Sequence, residues 1–348
     1  KHYKMINKFD SYSHNIMSRL TDGQGLHSTL KTIKLISWID TINPDIIHLH
    51  NLHGNYFNYN VFFNYIKTKS CKVVWTLHDC WPFTGHCAYF DIANCSKWEN
   101  GCCECPQTKS YPPAVVDSSS RNFKLKRDLF TALGDRLILV PVSNWLAQFI
   151  NRSFFKGNNV FVIHNGIDLK NFNWQENTKS RLYVLGVAFP WDTRKGLKDF
   201  YKLRKILSNE IDIVLVGLTI KQIKELPNGI QGLTRTESVM ELAQIYSGAL
   251  AFVNTTYEDN YPTVNLESIA CGTPVITYRT GGSPESVNDQ CGIVVPKGDV
   301  LGLKSAIGYI YDHQDKYNRK SLMAFASENF NQTECFKSYL DLYKSAFK

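Results

Sequence analysis

Two carboxylates in the run Tyr257-Glu-Asp-Asn-Tyr-Pro-Thr-Val-Asn-Leu-Glu267 have the type and spacing to do chemistry. Asp259 falls in a loop after an apolar run and Glu267, seven intervening residues later, on the helix that follows. Ionised acids accept strong hydrogen bonds from hydroxyls, so a pair at one strand's carboxyl end can grip a sugar. Two solvated acids near a helix start, favoured by its dipole, account for the same residues. Downstream, Val264, Leu266, Ile269 and Ala270 describe a short helix closed by Gly272, and Pro274 forbids its continuation. Val275–Tyr278 then reads as a buried strand, followed by Thr280-Gly281-Gly282 and by Ser283-Pro284-Glu285. Ser at an N-cap with Pro at the first helical position predicts a new helix, whose N–H groups attract anions. Ligands of parallel α/β sheets sit at the carboxyl ends of strands, so residues 264–285 read as a phosphate- or sugar-binding rim.

A second group is sulfur. Six of the ten cysteines fall within residues 80–105, four of them as Cys87-x7-Cys95-x6-Cys102-x2-Cys105. A reducing compartment disfavours disulfides, and four thiolates ending in a CxxC can close a tetrahedral zinc site that staples a long loop. Free or oxidised thiols and an iron–sulfur cluster are the other readings. Four cysteines would leave a zinc ion no open position, so a metal here is structural rather than catalytic. The loop over 80–113 also carries Trp81, Phe83, Tyr89, Phe90 and Trp98, which either stack on sugar rings or form the loop's own core. Histidine is the third group: His48, His50 and His53 in the run 48–54, and His78 at the end of an apolar strand. His48 and His50 alternate on one strand face, which admits metal binding as a minor alternative.

The elements that position these groups alternate. Strands are expected at 45–50, 72–77, 137–142, 160–163, 182–186, 211–216, 250–253 and 275–278. Helices are expected at 28–42, 145–150, 196–208, 238–247 and 331–346. Strands and helices at such spacing mean parallel sheets, and the restart after the polar stretch 174–180 means two of them. The expected organisation is α/β: a first domain over 1–172 with the Cys-rich loop 80–113, a second over 173–330, and a final helix (331–348) that could pack back on the first.

A chain of 348 residues, 43% hydrophobic and 20% charged, can bury two cores and is not disordered. It has no apolar run of about 18 residues and no basic-then-apolar leader, which points to a soluble, cytoplasmic protein. It begins at Lys1 without an initiator Met, so an upstream segment is expected. Of the net charge of +8, residues 1–170 carry +7 (19 Lys/Arg against 12 Asp/Glu). A basic first half suits an anionic partner such as a phosphorylated ligand or an anionic membrane surface. Basic-aromatic runs are absent, which argues against nucleic acid.

Taken together, the acid pair with "SIACGTPVITYRTGGSPE" resembles the donor-sugar motif of the retaining family 4 glycosyltransferases. "DIIHLHNLHGNY" (45–56), "WTLHDCWPFTGHCAYF" (75–90), "VIHNGID" (162–168) and "GVAFPWDTRKGL" (186–197) follow the order expected of that family. The likeness covers most of the chain and looks closest to bacterial enzymes of capsule, exopolysaccharide or O-antigen synthesis. It implies the GT-B architecture, two Rossmann-like doubly wound parallel-sheet domains facing across a cleft. It also implies a nucleotide-sugar donor, UDP- or GDP-linked, a glycan or polyprenyl-diphosphate-linked acceptor, and no cofactor for catalysis.

The resemblance assigns roles residue by residue. Glu267 would bind the donor ribose. Asp259 stands where the family usually has Glu and would face the donor sugar, with Glu258 next to it as the other choice. Asn260, Tyr261, Pro262 and Thr263 would offer backbone groups to sugar and phosphate. Lys195 matches the lysine that neutralises the diphosphate, and Arg194 would replace the arginine the family places after the strand-end glycine, where Val187 stands here. Gly281 and Gly282 would let the backbone approach the donor. His78 matches the active-site histidine, Asp79 would orient its loop, and His53, Gly54 and Asn165 fall on the acceptor side. The family's opening strand and glycine-rich loop are not found in residues 1–27. A nucleotide-sugar epimerase or phosphorylase of the same architecture, and a non-catalytic glycan- or nucleic-acid-binding protein, are the competing readings.

Overall fold

The computed structural model describes residues 2–176 and 181–347. Among them the chain forms two compact units, one of the residues up to Ile163 joined by those from Tyr343 on, the other of those between His164 and Leu342. The division falls at Ile163, ahead of the expected 172/173, and the final helix, Gln332–Ser345, belongs to the second unit up to Leu342. Part of the polar stretch read as the restart, residues 177–180, lies outside the described residues.

The first unit is built on four parallel strands in the order β1-β2-β3-β4: Ile46–Leu49, Lys72–Leu77, Leu137–Pro141 and Asn159–Val160. Strand β3 is a continuous apolar run and β2 is apolar but for Lys72 and Thr76, because both their faces are covered. Their inward residues meet an aromatic core in which Phe130 lies 4.6 Å from Phe63 and 4.9 Å from Trp75, ring to ring. The fourth strand is shorter than the expected 160–163. Phe161 and Ile163 still donate to the Leu139 and Pro141 carbonyls, but β3 ends in proline and the regular ladder stops.

The second unit holds six parallel strands: β5 Tyr183–Val187, β6 Asp212–Val216, β7 Ile230–Leu233, β8 Ala251–Asn254, β9 Val275–Tyr278 and β10 Gly292–Val295. Their order is β10-β9-β8-β5-β6-β7. The chain therefore winds outward from β5 through β6 and β7, returns to pair β8 beside β5, and winds the other way. That is the doubly wound order with its switch point between β5 and β8, where ligands of such sheets bind. Helix Thr263–Ala270 follows β8 and closes at Gly272, whose φ of 77° suits a left-handed residue.

The helix expected at Ser283 is a single 3₁₀ turn, Ser283–Ser286. Ser283 does not cap it, because its hydroxyl is turned inward to Thr277 Oγ1 at 2.7 Å and to Asn265 Nδ2 at 3.0 Å. Strands β7 and β10 and the helices Lys8–Thr21, Tyr59–Lys67, Ser119–Phe130, Val300–Asp312 and Arg319–Asn329 were not anticipated. No helix of the described residues is long and apolar enough to cross a membrane.

Candidate active site

The loops that leave β5 and β8 meet at the switch point. After β5, residues Thr193–Lys195 form a 3₁₀ turn capped by Asp192, and Gly196 follows at φ 72°. After β8, Thr255 Oγ1 donates to the carbonyls of Lys195 (2.9 Å) and Gly196 (3.3 Å). The Tyr257 N–H donates to the Arg194 carbonyl at 2.7 Å, and Arg194 Nη1 to the Glu258 carbonyl at 3.2 Å. A Cβ on residue 196 would lie 2.2 Å from the Thr255 carbonyl oxygen, so only glycine lets the two loops approach this closely.

This scaffold sets Lys195 Nζ 2.5 Å from Asp259 Oδ2, with both side chains largely buried. The other carboxylate oxygen of Asp259 accepts the Asn260 N–H at 2.9 Å. Glu258, the alternative acid, is buried at 4% exposure. Gly281 comes from the loop after β9 with φ 54°, and a Cβ there would fall 1.7 Å from the Asp259 carbonyl oxygen. The close approach Gly281 serves within this unit is thus to the Asp259 backbone. Gly282 has an ordinary φ of −87°.

Glu267 lies on the helix after β8. Tyr246 donates its hydroxyl to Oε2 at 3.0 Å and Thr263 to Oε1 at 3.3 Å. Burial raises the Glu267 pKa above the usual range against the pull of these two hydrogen bonds. Pro262 is the N-cap residue of this helix and has no N–H to offer, which narrows the expected backbone donors to Asn260, Tyr261 and Thr263. No side chain caps the helix, so its first turn keeps the anion-attracting character of an uncapped N-terminus. Asn165, expected on the acceptor side, belongs to the second unit, where its Nδ2 donates to the Tyr261 carbonyl at 3.2 Å. Beside it, His164 stacks on Tyr261 (4.7 Å between rings) and meets Glu285 at 3.1 Å.

In the first unit, His78 follows β2 directly and its Nε2 lies 3.0 Å from His50 Nδ1, the rings stacked at 5.3 Å. His48 joins Thr76 Oγ1 at 2.8 Å and the Tyr343 hydroxyl at 2.6 Å. Burial, then the neighbouring imidazoles, lowers the pKa of His48 to about 4; burial also lowers His50 and, reinforced by His50, His78. The downward shifts favour the neutral imidazole in all three rings near pH 7, so His78 has one ring nitrogen to donate and one to accept. Asp79 accepts the Trp81 N–H at 2.9 Å and faces His53 Nε2 at 3.2 Å. Burial opposes its ionisation, but His53 and the Trp81 N–H outweigh that, so its pKa lies below the ordinary value. Gly54 sits beside His53, where a Cβ would come within 2.9 Å of the Tyr56 ring. The loop aromatics Trp81, Phe83, Phe90 and Trp98 are buried in the core of the unit rather than displayed to a ligand.

Sequence reasoning missed the residues that support the site. Tyr246 closes a helix whose spacing gives no hint that its hydroxyl grips Glu267. Asp199, 2% exposed, takes the hydroxyls of Tyr257 (2.6 Å) and Tyr278 (3.0 Å) and so fixes the loop after β8 from below. Asn265 ties β8 to the 283–286 turn by accepting from Asn254 at 2.9 Å and donating to Ser283 and Ser286 at 3.0 Å each. Polar residues on short apolar elements were the available signal, because a buried amide or carboxylate needs partners.

Residues 10–171 match the family model for Glycosyltransferase Family 4, and residues 181–313 the model for Glycosyl transferases group 1. The chain is 26% identical over 279 residues to WcaC of Escherichia coli K12, named for colanic acid biosynthesis, covering 76% of this chain and 67% of that protein. It is also 26% identical over 238 residues to the N,N'-diacetylbacillosaminyl-diphospho-undecaprenol alpha-1,3-N-acetylgalactosaminyltransferase of Campylobacter jejuni, covering 61% of each. Among solved structures, sucrose-phosphate synthase from Thermosynechococcus elongatus is similar at a TM-score of 0.67 and 18% identity, over 92% of this chain and 79% of that one. Anabaena HepE in complex with UDP-glucose is similar at 0.63 and 16%, over 90% and 82%. At these identities the structural likeness speaks for the fold, while the two family models lie in order along most of the sequence. The chain belongs to glycosyltransferase family 4 and has the GT-B architecture.

Proposed function

We propose that the protein is a retaining transferase of cell-surface polysaccharide synthesis. It moves a sugar from a UDP- or GDP-linked donor to a glycan or a polyprenyl-diphosphate-linked acceptor. The observation that carries this reading is the Lys195–Asp259 pair at the switch point, with Glu267 on the adjoining helix. Lys195 supplies positive charge to the donor diphosphate, Arg194 adds to it, and the uncapped first turn at Thr263 offers N–H groups. Asp259 or Glu258 faces the donor sugar, Glu267 accepts from the ribose hydroxyls, and neutral His78 hydrogen-bonds near the sugar. The bond from the anomeric carbon to the diphosphate oxygen breaks as the acceptor hydroxyl oxygen bonds the same face. The hydroxyl proton passes to the departing diphosphate, and attack on the face the diphosphate leaves keeps the α configuration.

The names of the WcaC and Campylobacter relatives, and the UDP-glucose of the HepE complex, support the donor and acceptor classes. On the same reading the enzyme works at the inner face of the membrane, held by the basic first half. Flotation with anionic vesicles, lost in high salt, tests that attachment, and binding indifferent to salt and lipid charge sinks it.

The deciding experiment is thermal unfolding of the wild type and Glu267→Ala against UDP- and GDP-sugars and the free nucleotides. A ligand that binds only the folded chain raises the midpoint, by about 2.7 kcal/mol of stability at a hundredfold excess over Kd. A rise with one nucleotide, absent in the variant, is expected. No rise with any nucleotide, together with no sugar transfer to a membrane extract, overturns the reading.

A further inference from the structure

We propose that Cys87, Cys95, Cys102 and Cys105 hold a structural zinc ion that fastens the long loop between β2 and β3. All four line one cavity of about 10 Å³, room for a single water-sized sphere, beside Trp98 and His86. Cys95, Cys102 and Cys105 each lie near enough to bear electrostatically on Cys87, and all four are free thiols. As they stand, no three Cys, His, Asp or Glu side chains among the described residues are arranged to ligate an ion. All four residues line the cavity, and ligation requires their side chains to draw in around a divalent cation.

Three independent features of the surroundings complement such an ion. The first is a backbone already turned toward the sulfurs. The Gly85 N–H donates to Cys102 Sγ at 3.2 Å, and the Gln107 backbone hydrogen-bonds to Cys105 two residues earlier. Amide N–H groups aimed at sulfur steady thiolate ligands of a metal. Gly85 permits its approach because a Cβ there would meet the Cys102 Cβ at 2.7 Å and the Ser119 carbonyl oxygen at 2.2 Å.

The second is Lys126, 1% exposed, whose ammonium donates to the Trp81 and Thr84 carbonyls at 2.7 and 3.0 Å. It makes no ion pair among the described residues, and a buried amine without a counter-charge is costly to ionise. Zinc with four thiolates carries a net charge of −2, and Lys126 lies close enough to Cys102 and Cys87 to sense it. The third is His86, 2% exposed, whose Nδ1 is held 2.5 Å from Asp22 Oδ1 while Nε2 is buried with no hydrogen-bond partner. A zinc-bound thiolate beside it is an acceptor for a proton on this ring nitrogen.

The test is metal analysis of the untagged protein. About one zinc per chain is expected, released when an organomercurial titrates the thiols and detected with a chromogenic chelator. Co²⁺ in its place is expected to give the intense visible bands of a tetrahedral thiolate site. Cys105→Ser should lose the metal and Cys71→Ser, outside the lining of this cavity, should keep it. His86→Phe should keep the cobalt bands, and their loss would overturn the four-cysteine ligand set. Wild-type protein that is metal-free, carries disulfides among these cysteines on peptide mapping, or shows an iron–sulfur chromophore overturns the proposal without recourse to any variant.

Discussion

Lys195 Nζ and Asp259 Oδ2 lie 2.5 Å apart although 64 residues separate them in the chain. The contact exists because β5 and β8 are neighbours in the sheet while β6 and β7 lie on the far side of β5. Each residue follows the carboxyl end of its strand, so the switch in winding direction brings the two loops together. The turn around Gly196 and the hydroxyl of Thr255 then fix the distance.

Replacing Lys195 by Ala is expected to lower kcat/KM for sugar transfer by roughly 10²–10³, the usual effect of deleting one preorganised charge at a departing group. Stability should fall by only about 1–3 kcal/mol, because Asp259 keeps the Asn260 N–H. Steady-state kinetics with nucleotide release as readout would settle it. An Ala variant with unchanged kcat and unchanged donor KM removes Lys195 from the chemistry.

Two glycines predict opposite signs. Gly281→Ala puts a methyl 1.7 Å from the Asp259 carbonyl oxygen at a φ of 54°, and backbone has to move. A loss of about 2 kcal/mol or more is expected, with donor binding weakened at least tenfold because Asp259 shifts. Gly308→Ala, inside helix Val300–Asp312 with nothing within 4 Å of the new Cβ, should stabilise by about 0.5–1 kcal/mol. Urea midpoints of both variants test the pair, and a neutral Gly281→Ala would show that the loop is not tightly held.

Much of this fold is legible in sequence because parallel strands buried on both faces read as apolar runs. Val73–Leu77, Leu137–Val140 and Ile213–Val216 could hardly be anything else. Strand β7 was missed because Ile230-Gln-Gly-Leu233 has only two apolar residues, and β10 because a glycine opens a four-residue run. Helix Ser119–Phe130 escaped because its sequence is mostly polar, yet it buries Phe123, Leu129 and Phe130. The candidate site's residues come from the resemblance. What could not be read was strand order, and with it every partner across the sheet: Tyr246 for Glu267, Asp199 for Tyr257, Asp259 for Lys195.

Acid should unfold the first unit through its histidines. Burial lowers the pKa of His14 and His48 to about 4, from an unfolded value near 6.5, and His27, His50 and His78 shift the same way. Well above pH 6.5 these groups are neutral in both states and contribute no pH dependence. Between 6.5 and about 4 the unfolded chain binds protons that the folded chain refuses, so stability declines as pH falls through that window. Tm measured across it should drop by several degrees, less steeply in a His14→Asn, His48→Asn double variant. A flat profile in the wild type would refute the assignment.

Lys126→Met sets two effects against each other. Removing a buried charge relieves its desolvation, which by itself favours the apolar side chain. The substitution also strips the Thr84 carbonyl of its Nζ donor and leaves Trp81 with weaker ones, at 3.4 and 3.5 Å from Thr84. Each buried acceptor left unsatisfied costs about 1–3 kcal/mol. The ammonium also lies 3.3 Å over the Trp81 ring, an attraction that methionine replaces only in part. The acceptors are expected to prevail, giving a net loss of about 2–3 kcal/mol in urea unfolding. Because the lost bonds sit at the start of the Cys-rich loop, limited proteolysis should cut within residues 84–118 before any other segment. A variant as stable as the wild type, with an uncut loop, would mean that aromatic packing alone holds the Trp81 turn.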